Sequence, residues 1–101
     1  MGGLVTYDVT LGKGLNSTTF TPRRMASGVN RLNYDFYTSS ARSSIWGDGT
    51  GGSQKVSGTL SILVVGGTTN QLVVYGRIPG SQSTVRAGNY SDAVVVTVTY
   101  N

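Results

Sequence analysis

Apolar and polar residues alternate along several separate stretches of this chain, and no stretch repeats its apolar residues at the spacing of a helix. A period of two sends successive side chains to opposite faces of a strand, so the pattern describes half-buried strands. Val5, Tyr7, Val9 and Leu11 alternate with Thr6, Asp8 and Thr10 until Gly12-Lys13-Gly14 interrupts them. Leu32, Tyr34 and Phe36 alternate with Asn33, Asp35 and Tyr37, and Val94, Val96, Val98 and Tyr100 alternate with Ala93, Val95, Thr97 and Thr99. Leu60, Ile62 and Val64, then Leu72, Val74 and Ile78, outline two more strands. Gly66-Gly67-Thr68-Thr69-Asn70 between them is a turn-forming sequence of hairpin length, so these two strands are expected to pair. Pro22 ahead of Arg23-Arg24-Met25 predicts an edge or an irregular crossing there, because proline has no N–H for a central ladder. Gly47-Asp48-Gly49-Thr50-Gly51-Gly52-Ser53 reads as a loop. Short strands with a turn signal every ten residues or so predict an all-β sandwich, with a small barrel as the alternative.

Composition narrows the function classes. A chain of 101 residues fits one domain, spanning 1–101. At 38% hydrophobic and 12% charged it lacks the low hydrophobicity and high charge of a disordered segment. The net charge of +4 raises nucleic acid as a partner. However, Lys13, Arg31, Arg42, Lys55, Arg77 and Arg86 are scattered and only Arg23 and Arg24 adjoin, whereas phosphate recognition needs clustered charge. No nucleic-acid partner is expected. Without cysteine or histidine the chain has no zinc finger, thiol nucleophile, disulfide or imidazole triad. No apolar run approaches the roughly 18 residues of a membrane helix, so no membrane insertion is expected. Met1-Gly2-Gly3 reads as an initiator methionine and glycine pair ahead of a trimmed chain, without a charged n-region or apolar h-region.

Chemistry-bearing residues are few. Asp48 in its glycine loop suggests calcium, but that ion takes about six to eight oxygens and the other acids lie elsewhere in the sequence. Asp8, Asp35, Asp48 and Asp92 include no pair that sequence alone brings together as the acid and base of glycoside hydrolysis. Asp92, after Tyr90-Ser91, reads as a carboxylate bonding backbone near a turn. The 47–52 segment lacks the Lys-Ser/Thr ending of a phosphate-binding loop. No catalytic residue, metal or cofactor is expected. Trp46 has two readings, a core anchor and an adhesive residue beside a flexible loop. Tyr7, Tyr34 and Tyr100 fall on apolar faces, while Tyr37 and Tyr75 fall on the opposite ones. Tyr37, Tyr75 and Trp46 are thus the candidate surface contacts.

Leu72-Val73-Val74-Tyr75-Gly76-Arg77-Ile78-Pro79, then Ala87-Gly88-Asn89-Tyr90-Ser91-Asp92 and the valine-threonine strand to Tyr100, resemble the C-terminal half of spore coat protein U domains. Arg23-Arg24-Met25, Leu32-Asn33-Tyr34-Asp35-Phe36-Tyr37, Ala41-Arg42 and Trp46-Gly47-Asp48-Gly49-Thr50 fit the same family in the same order. The resemblance runs from about Leu4 to Asn101. It implies an incomplete immunoglobulin-like β-sandwich of the kind found in secreted coat proteins and in archaic chaperone-usher pili, completed by a strand from a partner or another copy. By that likeness Val94, Val96, Val98 and Tyr100 border the strand-complementation groove. The implied partners are other pilin or coat subunits and a periplasmic chaperone, in a homo-oligomer or filament outside the cell after periplasmic export. Against the family pattern this chain begins past the early strands, so it is expected to be the C-terminal portion of the family domain and to self-associate. A carbohydrate- or surface-binding adhesive module is the alternative function.

Overall fold

The computed structural model of the chain describes residues 4–61, 71–82 and 84–100. Its described elements are all strands: β1 Leu4–Leu11, β2 Arg23–Ser27, β3 Asn30–Tyr37, β4 Val56–Ser61, β5 Tyr75–Arg77 and β6 Val96–Tyr100. They form two antiparallel three-stranded sheets, ordered β4-β1-β6 and β2-β3-β5, a sandwich-like all-β fold.

β1 is the centre of the first sheet and follows its alternation closely. Tyr7, Val9 and Leu11 are buried, while Asp8 on the opposite face accepts from Lys55 Nζ at 3.0 Å and Ser57 Oγ at 2.6 Å. Tyr7 stands opposite Gly58 of β4, and a Cβ on that glycine would meet the tyrosine Oη at 2.5 Å and Cζ at 2.7 Å. The ring occupies the space that any larger residue at 58 would need. In the second sheet, β2 and β3 form a hairpin whose two-residue turn begins with Gly28 at a φ of 62°. Left-handed backbone at the first turn position is what a tight hairpin asks of glycine. β2 follows the cis Thr21-Pro22 peptide. Its outer side is bridged at Ala26 by Ser91, with N–H···O distances of 2.8 and 3.0 Å.

Two departures from the sequence pattern have physical causes. β4 and β5 do not pair: β4 lies against β1 and β5 against β3, so the chain changes sheets between them. The anticipated turn at 66–70, with Ile62 and Val64, lies outside the described residues. β5 is also shorter than its pattern. The register that sets Asp35 opposite Arg77 and Tyr37 opposite Tyr75 would set Pro79 opposite Asn33, and proline cannot donate to a ladder. The Gln82 side-chain amide takes that place instead. Its Oε1 accepts from Asn33 N–H at 2.8 Å, and its Nε2 donates to Asn33 O at 3.1 Å and to Pro79 O at 2.9 Å.

The sheets meet around Tyr7, Val9, Leu11 and Trp46, with Phe36, Val56 and Val94 packed against them. Trp46 donates its indole N–H to Val9 O at 2.9 Å. Arg23 is fully buried beside it. Its Nε donates to Gly12 O at 2.9 Å, and its second terminal nitrogen donates to Trp46 O at 2.6 Å and Leu11 O at 3.4 Å. The guanidinium carbon lies 5.4 Å from the Phe36 ring centroid and 5.8 Å from that of Phe20. Burial pulls the Arg23 pKa down, and nearby Tyr34, Asp35 and Asp92 oppose that pull. Arg23 therefore ties the second sheet to the end of β1 and to the Trp46 segment.

Replacing it by alanine strips three carbonyls of a buried donor and leaves a void, so Arg23→Ala is expected to lower stability by about 3 kcal/mol or more. A urea denaturation midpoint unchanged from the native chain would refute this role.

Candidate functional site

The site begins with an asymmetry in the first sheet. Leu11, Val9 and Tyr7 of β1 stand opposite Val96, Val98 and Tyr100 of β6. Directly opposed residues of an antiparallel pair share a sheet face, so these three β6 side chains point to the same inner side as the buried core. They are nevertheless 61%, 48% and 64% exposed. Among the described residues, nothing closes over that side of β6.

The β6 backbone is open as well. Gly12 N–H donates to Val95 O at 2.9 Å, which fixes the alternation of the ladder. Bonds to β1 run through Thr97 and Thr99, and the N–H and C=O groups of Val96, Val98 and Tyr100 face the free edge. Among the described residues, the same three thus present unpaired main chain sideways and uncovered side chains inward. An added extended strand meets both needs.

Inside this edge lies an open cleft of about 590 Å³ between the two sheets. Leu11, Met25, Phe36, Val74, Val94 and Val96 give it apolar walls. Polar side chains enter at Tyr34 and Asp92, where the tyrosine hydroxyl donates to Asp92 Oδ2. Asp92 Oδ1 accepts from Leu15 N–H at 2.9 Å and Asn16 Nδ2 at 3.1 Å. The carboxylate clasps β3, the 15–16 loop and the segment leading into β6, and Gly14 passes so close that a Cβ there would collide with it. Burial, then the bond to Asp92, pushes the Tyr34 hydroxyl pKa well above its ordinary value of 10.0.

The residues singled out from sequence fall into three groups. Val94 packs against the core and lines the cleft with Val96, and Val98 and Tyr100 continue the same exposed face of β6 beyond it. Tyr37 and Tyr75 are direct cross-strand partners on the second sheet's outer face, each half-buried. Trp46 is 1% exposed, which removes it as a surface contact. Its indole N–H turns inward and donates to Val9 O of β1. Asp92 bonds backbone as read, but at a residue 77 positions away. Asp48 is held by Thr50, through N–H at 2.9 Å and Oγ1 at 2.5 Å, and these bonds lower its pKa. The described residues bring no three acidic side chains together as a metal cluster. Asp8, Asp48 and Asp92 each have separate partners, and Asp35 lies on the sheet face opposite Tyr34.

Met25, Arg23 and the Leu72-Val73-Val74 run escaped the sequence reading of this site. Period-two alternation from Arg23 to Met25 places both on the inner face, a signal hidden by the charge of the first. Leu72, Val73 and Val74 are exposed along the approach to β5, and Ile78 just after it.

Comparison with known proteins adds identity to this geometry. Residues 3–97 match the family model described as Spore Coat Protein U domain. The chain is 36% identical over 104 residues to Protein U of Myxococcus xanthus, an alignment covering 96% of this chain and 54% of that protein. The chain therefore spans about half the length of that curated relative.

The Tyr34–Asp92 clasp has a pH signature. A hydroxyl whose folded pKa is raised contributes stability below its unfolded pKa of about 10, and that contribution is lost as pH rises through the folded value. Tyr34→Phe is expected to cost about 1 to 3 kcal/mol at neutral pH and to flatten the alkaline fall of the unfolding midpoint. Identical alkaline profiles for the two chains would dismiss the clasp.

Proposed function

The chain belongs to the Spore Coat Protein U domain family, and from that premise we propose that it is a non-enzymatic structural subunit of an extracellular coat or fibre, assembling by β-strand complementation at β6. One observation carries the reading. Val96, Val98 and Tyr100 leave both their main-chain groups and their inward side chains unpartnered among the described residues. An extended segment from another subunit satisfies the backbone by adding to the edge, while its alternate side chains fill the apolar cleft. Covering the exposed parts of these three side chains contributes on the order of 3 kcal/mol, and more comes from Val74 and Val94 along the cleft.

In this reading the partners are other coat or pilin subunits, with a periplasmic chaperone protecting the edge before assembly, and the destination is the cell surface. The half-buried Tyr37 and Tyr75 pair supports a second reading, a carbohydrate- or surface-binding module, but with Trp46 in the core that face has lost its largest aromatic. A non-enzymatic role fits carboxylates that serve as clasps and turn ligands.

Val98→Asp is the direct test. Residue 98 is half-open in the single chain, so a carboxylate there can stay hydrated, whereas in an occupied cleft it would be buried without a partner. The expected outcome is a folded chain, with thermal unfolding near native, whose self-association measured by light scattering weakens at least about tenfold, the factor that roughly 1.4 kcal/mol produces. Association equal to the native chain's would sink the proposal.

A further inference from the structure

The two sheets differ in how their outer edges are treated. Among the described residues β6 is open, whereas at the free edge of β5 the Gly76 carbonyl is met by a side chain. Phe36 O accepts from Trp46 N–H at 2.9 Å, so its main-chain groups face away from β5. Gly76 is directly opposite Phe36, and its own groups must therefore face away from β3. At that outward position the Arg42 Nε donates to Gly76 O at 3.3 Å. The same guanidinium reaches back to Ser40 O, also at 3.3 Å.

Arg42 is held there by an unusual backbone. Its φ is 53°, in the left-handed region that side chains other than glycine rarely adopt. Its N–H donates to Ser39 O at 3.1 Å, and Thr38 N–H to Ser44 O at 3.0 Å closes the loop around it. The segment it covers needs covering. Leu72, Val73 and Val74 lead into β5 and Ile78 follows it, all exposed, and Arg77 is the only charge in that run. Short apolar segments of high β-propensity beside an unpaired edge are the usual nuclei of wrong strand pairing, and a charge placed over the edge is a common safeguard.

We propose that Arg42 is an edge guard. It blunts β5, so that strand addition is turned away from that edge and from the apolar run beside it. The need for such a guard rests on the strand-addition reading above, but its action on β5 is separable from it. The two contacts are long for charge-assisted hydrogen bonds, which suits a cover that discourages pairing without fixing the loop rigidly.

Arg42→Gly isolates the guard, because glycine accepts the left-handed backbone at no steric cost while removing the guanidinium. It is made both alone and combined with Val98→Asp. Arg24→Gln removes one exposed positive charge from β2 and controls for net charge. Weight-average mass is read by light scattering across a hundredfold range of concentration, with thermal unfolding recorded for each chain. The expected result is that Arg42→Gly/Val98→Asp, blocked at β6, regains association at least about fivefold stronger than Val98→Asp alone, with unfolding unchanged and no such gain from Arg24→Gln. If the double variant associates no more than Val98→Asp, or if Arg24→Gln gives the same gain, the guard is overturned while the β6 reading stands. If Val98→Asp alone associates like the native chain, the β6 reading fails, and a gain on adding Arg42→Gly then still supports a guard on β5.

Discussion

A single buried cation organises this domain. Arg23 sits at the start of β2, yet its guanidinium spends its hydrogen bonds on Leu11, Gly12 and Trp46, at the end of β1 and on the crossing segment beyond β3. Isolated charge in an apolar interior is costly, and here three carbonyls and two aromatic faces offset it. One Arg23 terminal nitrogen and one Asp35 oxygen remain without hydrogen-bond partners among the described residues. The lowered Arg23 pKa records the same balance, burial outweighing the acids nearby.

Arg23 and Trp46 fasten the sheets together near the end of β1, and the β6 side of the first sheet is left unfinished beside them. Ser91 bridges β2, Asp92 clasps Tyr34 and the 15–16 loop, and the chain then crosses to the first sheet to run as β6. Among the described residues, the second sheet offers nothing at that point to cover the β6 inner face. Its last strand, β5, is cut to Tyr75–Arg77 by Pro79, and Gln82 completes the ladder with a side-chain amide. The core is closed around Trp46 and Arg23 and open along β6, and the open side is where this chain is proposed to receive a neighbour.

The sequence made strands legible wherever one face is buried. Alternation located β1, β3 and β6, and it put Val94, Val96, Val98 and Tyr100 on one face because only a period of two was required. Pairing was less legible, since Gly66 to Asn70 has hairpin composition but the partners of β4 and β5 are chosen by contacts in different sheets. Gly58 gives no sign in sequence that Tyr7 will lie across it. Arg23 was hidden because a charged residue is read as solvated unless its acceptors are known, and carbonyl acceptors leave no mark on the sequence. Trp46 carried both readings until its N–H found Val9 O. Arg42 was invisible for a similar reason: its role depends on a loop conformation and on the outward direction of one carbonyl.

In the proposed assembly, β6 gains the neighbour it lacks among the described residues of the single chain. Hydrogen exchange at the Val96, Val98 and Tyr100 amides tests it most directly, because these N–H groups face the free edge while those of Thr97 and Thr99 are bonded to β1. Fast exchange is expected at the first three in dilute solution and marked slowing in the assembled state, with Thr97 and Thr99 protected in both. Equal and rapid exchange of the three outward amides before and after assembly would contradict it.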